Sequence, residues 1–275
     1  MALGMNAIEQ ISRLRTFWRR PVAKPATRST NGRRVYAVGD IHGRLDLLEP
    51  LLKQIRADAA SFSGDGKPLI VFLGDYIDRG TASKGVIDAL LALKLDDGFD
   101  LAFLKGNHEE ALVTFLDDPK IGPSWYKHGG GQTLVSYGVN PPALMLDDSQ
   151  WEVTQEAFAK ALTRDHLDFY QNLELTVTVG DYLFVHAGVR PGVALEAQDE
   201  KDLLWIRDDF IRSRRPSADK VVVHGHTPEE GPYLGEHRIG VDTGAYATGV
   251  LTAVRIEGDE LTVFQASGAH SAMGR

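Results

Sequence analysis

The sequence predicts an α/β domain. Three observations carry that prediction. From Arg33 onward, short apolar runs alternate with stretches of helical periodicity. The last third turns to closely spaced strand-like runs broken by Gly-Asp pairs. Several of the apolar runs end in a glycine followed by an aspartate, asparagine or histidine.

The elements follow in order. VYAVG (35–39) is the first strand candidate. Residues 44–60 carry Leu45, Leu48, Leu51 and Leu52 on one face of a helix. PLIVFLG (68–74) is apolar throughout, the pattern of a strand buried on both faces. A helix follows at about 82–94, a third strand at DLAFLKG (100–106), and a helix at about 108–117. Three β-α units in series imply an α/β sheet. Residues 120–170 read differently. SWYKHGGGQTLVSYGVNPP predicts a loop, a short helix near 131–137, another loop, and then a helix over about 151–168. Strands are expected at 173–180, 182–188, 220–225, 237–242, 249–258 and 261–266. Gly180-Asp181 and Gly258-Asp259 fit hairpin turns.

A chain of 275 residues is long enough for a real core without covalent staples. Its 43% hydrophobic and 25% charged residues exclude global disorder, collagen-like and coiled-coil structures. There is no cysteine, which removes disulfide frameworks, thiol catalysis and thiolate zinc sites. A reducing, cytoplasmic location is expected. The net charge of −8 hides an asymmetry, because residues 1–34 hold eight basic residues and one acidic. The remaining body is strongly acidic, so no nucleic-acid partner is expected. Such a body suits a protein that spends carboxylates on cations.

Near the start, Ile8, Ile11, Leu14 and Phe17 recur every third residue among Arg13, Arg15, Arg19 and Arg20. A short amphipathic helix is expected, packed on the domain or a partner, or making weak contact with an anionic membrane surface through 1–20. Residues 21–32 read as a flexible linker. No secretory signal pattern is expected, and no apolar run reaches the roughly 18 residues of a membrane span.

Five strand ends carry chemistry. They are Gly39-Asp40-Ile41-His42-Gly43, Gly74-Asp75-Tyr76-Ile77-Asp78-Arg79-Gly80, Gly106-Asn107-His108-Glu109, Val185-His186-Ala187-Gly188 and His224-Gly225-His226-Thr227. Ligands in open α/β sheets bind beyond the carboxyl ends of strands, so these residues should converge. Alone, a strand-end aspartate is commonly a turn or helix cap and a single histidine commonly structural. Together, Asp40, His42, Asp75, Asn107, His186 and His226 offer two carboxylates, three imidazoles and an amide oxygen. Such mixed donors suit Mn, Fe or Zn better than Ca or Mg. Six donors exceed one tetrahedral site and fit two metals sharing Asp75.

The ordered set GDIHG, GDYIDRG, GNHE, VHAG and HGHT resembles the calcineurin-like metallophosphoesterases. Within them it resembles the phosphoprotein phosphatase branch, which includes bacterial and phage serine/threonine protein phosphatases and symmetrical diadenosine tetraphosphate hydrolases. The resemblance covers about residues 34–256. It implies an αββα sandwich of two mixed β-sheets flanked by helices, with a dimetal site at strand ends. It implies two divalent or trivalent metal ions, first of all Mn, with Fe or Zn as alternatives. Asp40 and His42 would hold the first metal, Asn107, His186 and His226 the second, and Asp75 would bridge. Arg79 would bind phosphate oxygens, and His108, oriented by Asp78, would be the general acid. Leu204-Trp205-Ile206-Arg207 is similar to the family's Trp-x-Arg segment, which makes Arg207 a second phosphate clamp. A hydroxide bridging the metals would be the nucleophile, which makes a covalent phospho-enzyme unnecessary.

The implied organisation is a basic segment and linker at 1–32, a metallophosphoesterase catalytic domain at 33–267 and a tail at 268–275. The implied activity is phosphomonoester hydrolysis by a bacterial-type serine/threonine protein phosphatase, on a phosphoprotein or a phosphorylated small molecule. The alternatives are a symmetrical dinucleoside polyphosphate hydrolase and a non-catalytic binding module. The intact ligand set, both arginines and His108 count against the last. The late segment Asp242-Thr243-Gly244-Ala245-Tyr246 departs from the eukaryotic Ser-Ala-Pro-Asn-Tyr-like pattern toward bacterial and phage members. The stretch around 120–150 is not shared in detail.

Some residues stay open in the sequence. His224 is either a supporting group behind the ligands or a pocket residue. Tyr246 either reaches the substrate or packs in a loop. Trp125, Tyr126 and His128 either wall the cleft or cover the core. His166, His237 and His270 read as structural or solvated. Oligomeric state is not specified.

Overall fold

The structure, a computed structural model, describes residues 27–143, 148–213 and 219–268. The expected amphipathic segment at 1–20 and His270 lie outside these residues. The first half forms β1 (Val35–Val38), α1 (Leu45–Ala59), β2 (Leu69–Phe72), α2 (Ser83–Leu93), β3 (Asp100–Phe103) and α3 (Asn107–Asp117). Then come α4 (Gly122–Trp125), α5 (Gly131–Ser136), α6 (Asp148–Ala161) and α7 (Arg164–Gln171). The second half holds β4 (Thr176–Val179), β5 (Tyr182–Val185), α8 (Glu200–Trp205), α9 (Asp208–Ile211), β6 (Val221–His224), β7 (Tyr233–Leu234) and β8 (Arg238–Gly240). It closes with α10 (Ala245–Thr248), β9 (Val250–Glu257) and β10 (Glu260–Ser267).

Two five-stranded mixed sheets result, ordered β10-β9-β1-β2-β3 and β4-β5-β6-β8-β7. The first is parallel through β1, β2 and β3, with β9 antiparallel to β1. The second is parallel through β5, β6 and β8. Period-two alternation explains the layering. Val35 and Ala37 of β1 join Phe184, Val223 and Ile239 of the other sheet in one buried cluster. Tyr36 and Val38 turn the opposite way, onto Leu47, Leu51 and Ile55 of α1. On the far side, Leu183, Val185 and Val222 pack on Leu203, Ile206 and Phe210 around α8 and α9. This is the αββα sandwich implied by the motifs.

Several sequence expectations are corrected. The stretch before the triple glycine is helical, running from a 3-10 turn at Pro119–Ile121 through α4 and a π-type turn at Tyr126–Gly130 into α5. Its glycines read as a loop, but only Gly129 breaks helical geometry, at φ 111°. The helix expected over 151–168 is two helices, because the Thr163 side chain accepts the His166 N–H and starts α7 afresh. α8, α9, α10 and β7 were not expected, since none is long enough to show a period.

Residues 28–30, inside the expected linker, are hydrogen bonded to the domain. Ser29 and Asp181 exchange bonds at 2.8 Å, and the Arg28 N–H donates to Asp259 at 2.8 Å. These partners sit in the β4-β5 and β9-β10 hairpin turns, next to the start of β1. The chain therefore enters at the pole opposite the carboxyl ends of β1, β2, β5 and β6. Deleting residues 1–26 is expected to leave kcat within about twofold of the full chain. Deleting 1–32 also removes this strap and should lower Tm by a few degrees, on the order of 1 kcal/mol. Steady-state kinetics and thermal melts of both truncations check this. No helix among the described residues is long and apolar enough to cross a membrane.

Candidate active site

The chain delivers its polar residues where the strands stop. Asp40 and His42 follow β1, Asp75 follows β2, Asn107 opens α3 after β3, His186 follows β5 and His226 follows β6. The turns are so tight that His42, Asp75, Asp78, Arg79 and His226 all adopt left-handed φ values between 46° and 70°. L-residues avoid that region, so the surroundings must enforce it. The Glu109 carboxylate does part of this, accepting the backbone N–H groups of Asp75 (2.9 Å), Tyr76 (2.8 Å) and Gly106 (3.0 Å). Two glycines are demanded by close approach. A Cβ on Gly106 would strike the Asp75 carboxylate, and one on Gly225 would strike that of Asp40.

Asp75 stands at the centre. Its Oδ2 lies 3.5 Å from His42 Nε2 and its Oδ1 3.5 Å from His186 Nε2. Two buried clusters share it: His42, Asp75 and His108, and Asp75, His186 and His226, each with ligand atoms within 4.8 Å. Asn107 joins the second, with Oδ1 3.0 Å from His186 Nε2, and His226 Nδ1 is 3.2 Å from the same nitrogen. Asp40 stands beside the clusters and accepts the His226 N–H at 3.1 Å.

The donor chemistry fits cations. His42 Nδ1 donates to the Ile77 carbonyl and His186 Nδ1 to the Leu73 carbonyl, each at 2.8 Å. A carbonyl can only accept, so both protons sit on Nδ1 and both Nε2 lone pairs face inward. Burial holds the His42 and His186 pKa values below the usual imidazole range and that of His226 down to about 2. These rings are therefore neutral, and the His186 lone pair meets the Asn107 oxygen with no proton between them. His226 Nε2 is buried without a partner. Burial, with the charges of Asp242 and Asp75, pushes Asp40 well above the carboxylate range. Converging lone pairs and crowded carboxylates are what a pair of cations relieves.

Beside the clusters lies a buried histidine-aspartate pair. His108 Nδ1 is 2.6 Å from Asp78 Oδ2, and both side chains are buried. Burial opposes protonation of His108, but the Asp75 charge and the Asp78 hydrogen bond outweigh it and raise its pKa. Arg79 Nη2 is 3.2 Å from His108 Nε2, and its guanidinium lies 4.4 Å over the Tyr246 ring. Tyr246 also meets His42 edge-on at 5.3 Å, so it belongs to the site. Arg207 is exposed. After burial and nearer charges, Arg207 helps hold down His186 and His226, whereas Arg79 does so at His42.

Two pockets adjoin these residues, one at Arg79 and one at His108. One, of about 540 Å³, is lined by Arg79, Tyr126, Lys127, His128, Gln132 and Tyr246 among others. The second, of about 390 Å³, borders Asn107, His108, Lys120, Trp125, His128 and Trp205.

Residues 33–251 match the family profile of the calcineurin-like phosphoesterases. The chain belongs to this family. An asymmetrical bis(5'-nucleosyl)-tetraphosphatase PrpE of Anoxybacillus flavithermus is 25% identical, covering 79% of this chain and 88% of its own. That of Oceanobacillus iheyensis is 27% identical over 79% and 86%. A symmetrical bis(5'-nucleosyl)-tetraphosphatase of Neisseria meningitidis is 25% identical over 85% and 96%. The fold also matches a crystal structure of a candidate diadenosine tetraphosphatase, at TM-score 0.59 and 20% identity over 88% and 97% of the two chains. A serine/threonine protein phosphatase from Saccharomyces cerevisiae matches at TM-score 0.51 and 16% identity over 88% and 82%.

In this calcineurin-like phosphoesterase the open residues take definite places. His224 is buried, with its ring centroid 5.1 Å from that of Phe210 and its Nε2 3.2 Å from Arg238 Nη1, and burial lowers its pKa to about 3. Tyr126 and His128 line the larger pocket. Trp125 is buried, and its indole N–H donates to Asp78 Oδ2 at 2.9 Å. His166 links Tyr137 and Asp88 at 2.7 and 2.9 Å, and His237 is exposed. Sequence reasoning missed the roles of Glu109, of Thr133, whose hydroxyl donates to Asp78 Oδ1 at 2.6 Å, and of Asp242, whose charge acts on Asp40. Asp242 carried a readable signal, since it ends an apolar run as Asp40 and Asp75 do. Thr133 carried none.

Proposed function

We propose that this phosphoesterase hydrolyses phosphomonoesters with strongly basic leaving groups, foremost phosphoserine and phosphothreonine of proteins. The observation that carries the reading is the His108-Asp78 pair, held ready beside a shared aspartate. An alkoxide leaves slowly without a proton, whereas the phosphate end of an anhydride leaves readily as an anion. A buried imidazole with a raised pKa answers the first need.

Asp40 and His42 would hold one metal and Asn107, His186 and His226 the other, with Asp75 common to both. When bound, the metals supply Lewis acidity at the phosphoryl oxygens and lower the pKa of coordinated water. Arg79 and Arg207 would receive phosphoryl oxygens from two sides, where charge-assisted hydrogen bonds are strong. Arg79 donates to His108 Nε2. Turning that guanidinium to a phosphoryl oxygen frees Nε2 to carry the proton for the leaving group. Asp78 keeps Nδ1 protonated and the ring in place.

A second reading is favoured by the relatives named bis(5'-nucleosyl)-tetraphosphatases, which align over most of this chain. Lys127 in one pocket and Lys120 in the other bring positive charge to both, which suits a polyphosphate. Purified protein with Mn²⁺, given phosphoserine peptides and diadenosine tetraphosphate side by side, separates the two. The peptides are expected to give the higher kcat/KM, by about tenfold or more. The reverse order would install the dinucleotide reading, and no turnover of either would mean a binding module.

A further inference from the structure

The acid pair is held from outside the motifs. Asp78 and Arg79 are consecutive residues in left-handed backbone, at φ 70° and 66°. Such a pair persists only when its surroundings over-determine it. Three residues spaced by four along the helical stretch from Gly122 to Ser136 do so. The Trp125 indole N–H donates to Asp78 Oδ2 at 2.9 Å, the same oxygen that holds His108. The Gly129 carbonyl accepts the Arg79 N–H at 3.2 Å. The Thr133 hydroxyl donates to Asp78 Oδ1 at 2.6 Å and accepts the Asp78 N–H at 2.9 Å. Trp125 ends α4, Gly129 is the break in helical geometry and Thr133 lies in α5, so the clamp spans the kink between the two helices. Gly129 has no room for a side chain, since a Cβ there would lie 2.6 Å from Arg79 N and 2.7 Å from its Cγ.

We propose that this segment is a three-point clamp, in which Trp125 and Thr133 are positioning residues for His108 and Gly129 positions Arg79. The proposal rests on the reading of His108 as the general acid. Asp78 is fully buried, so each of its oxygens must find donors inside the protein. With Trp125 and Thr133 in place, the carboxylate has one orientation, and the His108 ring inherits it. Without Thr133, Oδ1 loses its donor, and without Trp125, Oδ2 keeps only His108, so in either case the carboxylate is free to turn. The same segment lines the larger pocket through Tyr126, Lys127, His128 and Gln132. One element therefore shapes the substrate wall and aims the proton.

The test is a series of aryl phosphates of rising leaving-group pKa, from p-nitrophenyl to phenyl phosphate, with Mn²⁺. Trp125→Phe keeps an aromatic ring against Phe115 and Phe158 and removes the donor. Thr133→Val keeps the shape and removes the hydroxyl. Both are expected to lose about tenfold in kcat on phenyl phosphate and to stay within about twofold on p-nitrophenyl phosphate. Thr133→Ser, which restores the hydroxyl, should behave as wild type. Gly129→Ala should instead raise KM and lower kcat alike across the series, because it displaces the arginine. Metal content and circular dichroism accompany each variant, and should Thr133→Val not fold, Trp125→Phe decides. Equal losses on every leaving group in Trp125→Phe, or a Thr133→Ser loss as large as that of Thr133→Val, would overturn the clamp. A steep His108→Asn series beside a flat Trp125→Phe series would overturn the clamp alone. A flat His108→Asn series would overturn the acid reading and the clamp with it.

Discussion

Asp75→Asn is expected to abolish turnover, by roughly 10³-fold or more, and to reduce bound metal below two ions per chain. Asp75 is buried between two histidine-bearing clusters, with one oxygen 3.5 Å from a bare imidazole nitrogen on each side. A carboxylate can offer one anionic oxygen to each of two cations. An amide offers one weak acceptor, and turns an N–H₂ group toward a nitrogen that needs a positive centre. The substitution is nearly isosteric, so folding should survive while metal affinity falls. Metal analysis after dialysis and kcat on p-nitrophenyl phosphate check both halves. Two retained metals with a near-normal rate would defeat the shared-carboxylate arrangement.

His108→Asn should divide substrates by their leaving groups. Positioned acid catalysis contributes about 10²–10⁴-fold where the leaving group is basic. Losses in that range are expected on phosphoserine peptides and phenyl phosphate, with much smaller ones on p-nitrophenyl phosphate, whose anion departs unaided. Metal content should stay near wild type, because neither proposed ligand set includes His108. Asp78→Asn should show the same signature, since its amide hydrogens would meet the donors of His108, Trp125 and Thr133. Uniform losses with metals intact would make His108 a phosphate-binding or nucleophile-positioning group instead.

The convergence of Asp40, His42, Asp75, Asn107, His186 and His226 was legible because their placement is local. An apolar run followed by Gly-Asp or by a histidine marks a strand and its exit in the same few residues. The topology then needs only the parallel order of strands to bring Asp40, Asp75 and His186 to one edge. The α/β class was legible in the apolar runs alternating with helical stretches, but the two-sheet sandwich came only through the family resemblance, since Val35 and Tyr36 face opposite cores from within one unbroken apolar run. What stayed hidden is long-range or short. Trp125 and Thr133 reach Asp78 across 47 and 55 residues, the first from a stretch that reads as a loop and the second from a short expected helix. Nothing in their neighbourhood names the partner. α8, α9 and α10 last four to six residues and never complete a pattern. The break between α6 and α7 turned on one hydroxyl, that of Thr163, against a continuous helical composition.

The left-handed backbone at His42, Asp75, Asp78, Arg79 and His226 has a consequence for evolution in the laboratory. Each such residue costs on the order of 1 kcal/mol against the conformations its side chain prefers. Glycine would relax the strain at any of them and delete the group the site needs. A selection for thermal tolerance alone would therefore drift toward glycine at these five positions and return sturdy, silent proteins. A selection for turnover would hold the same five fixed and gather its stabilising changes elsewhere, in the helices and at the hairpin pole.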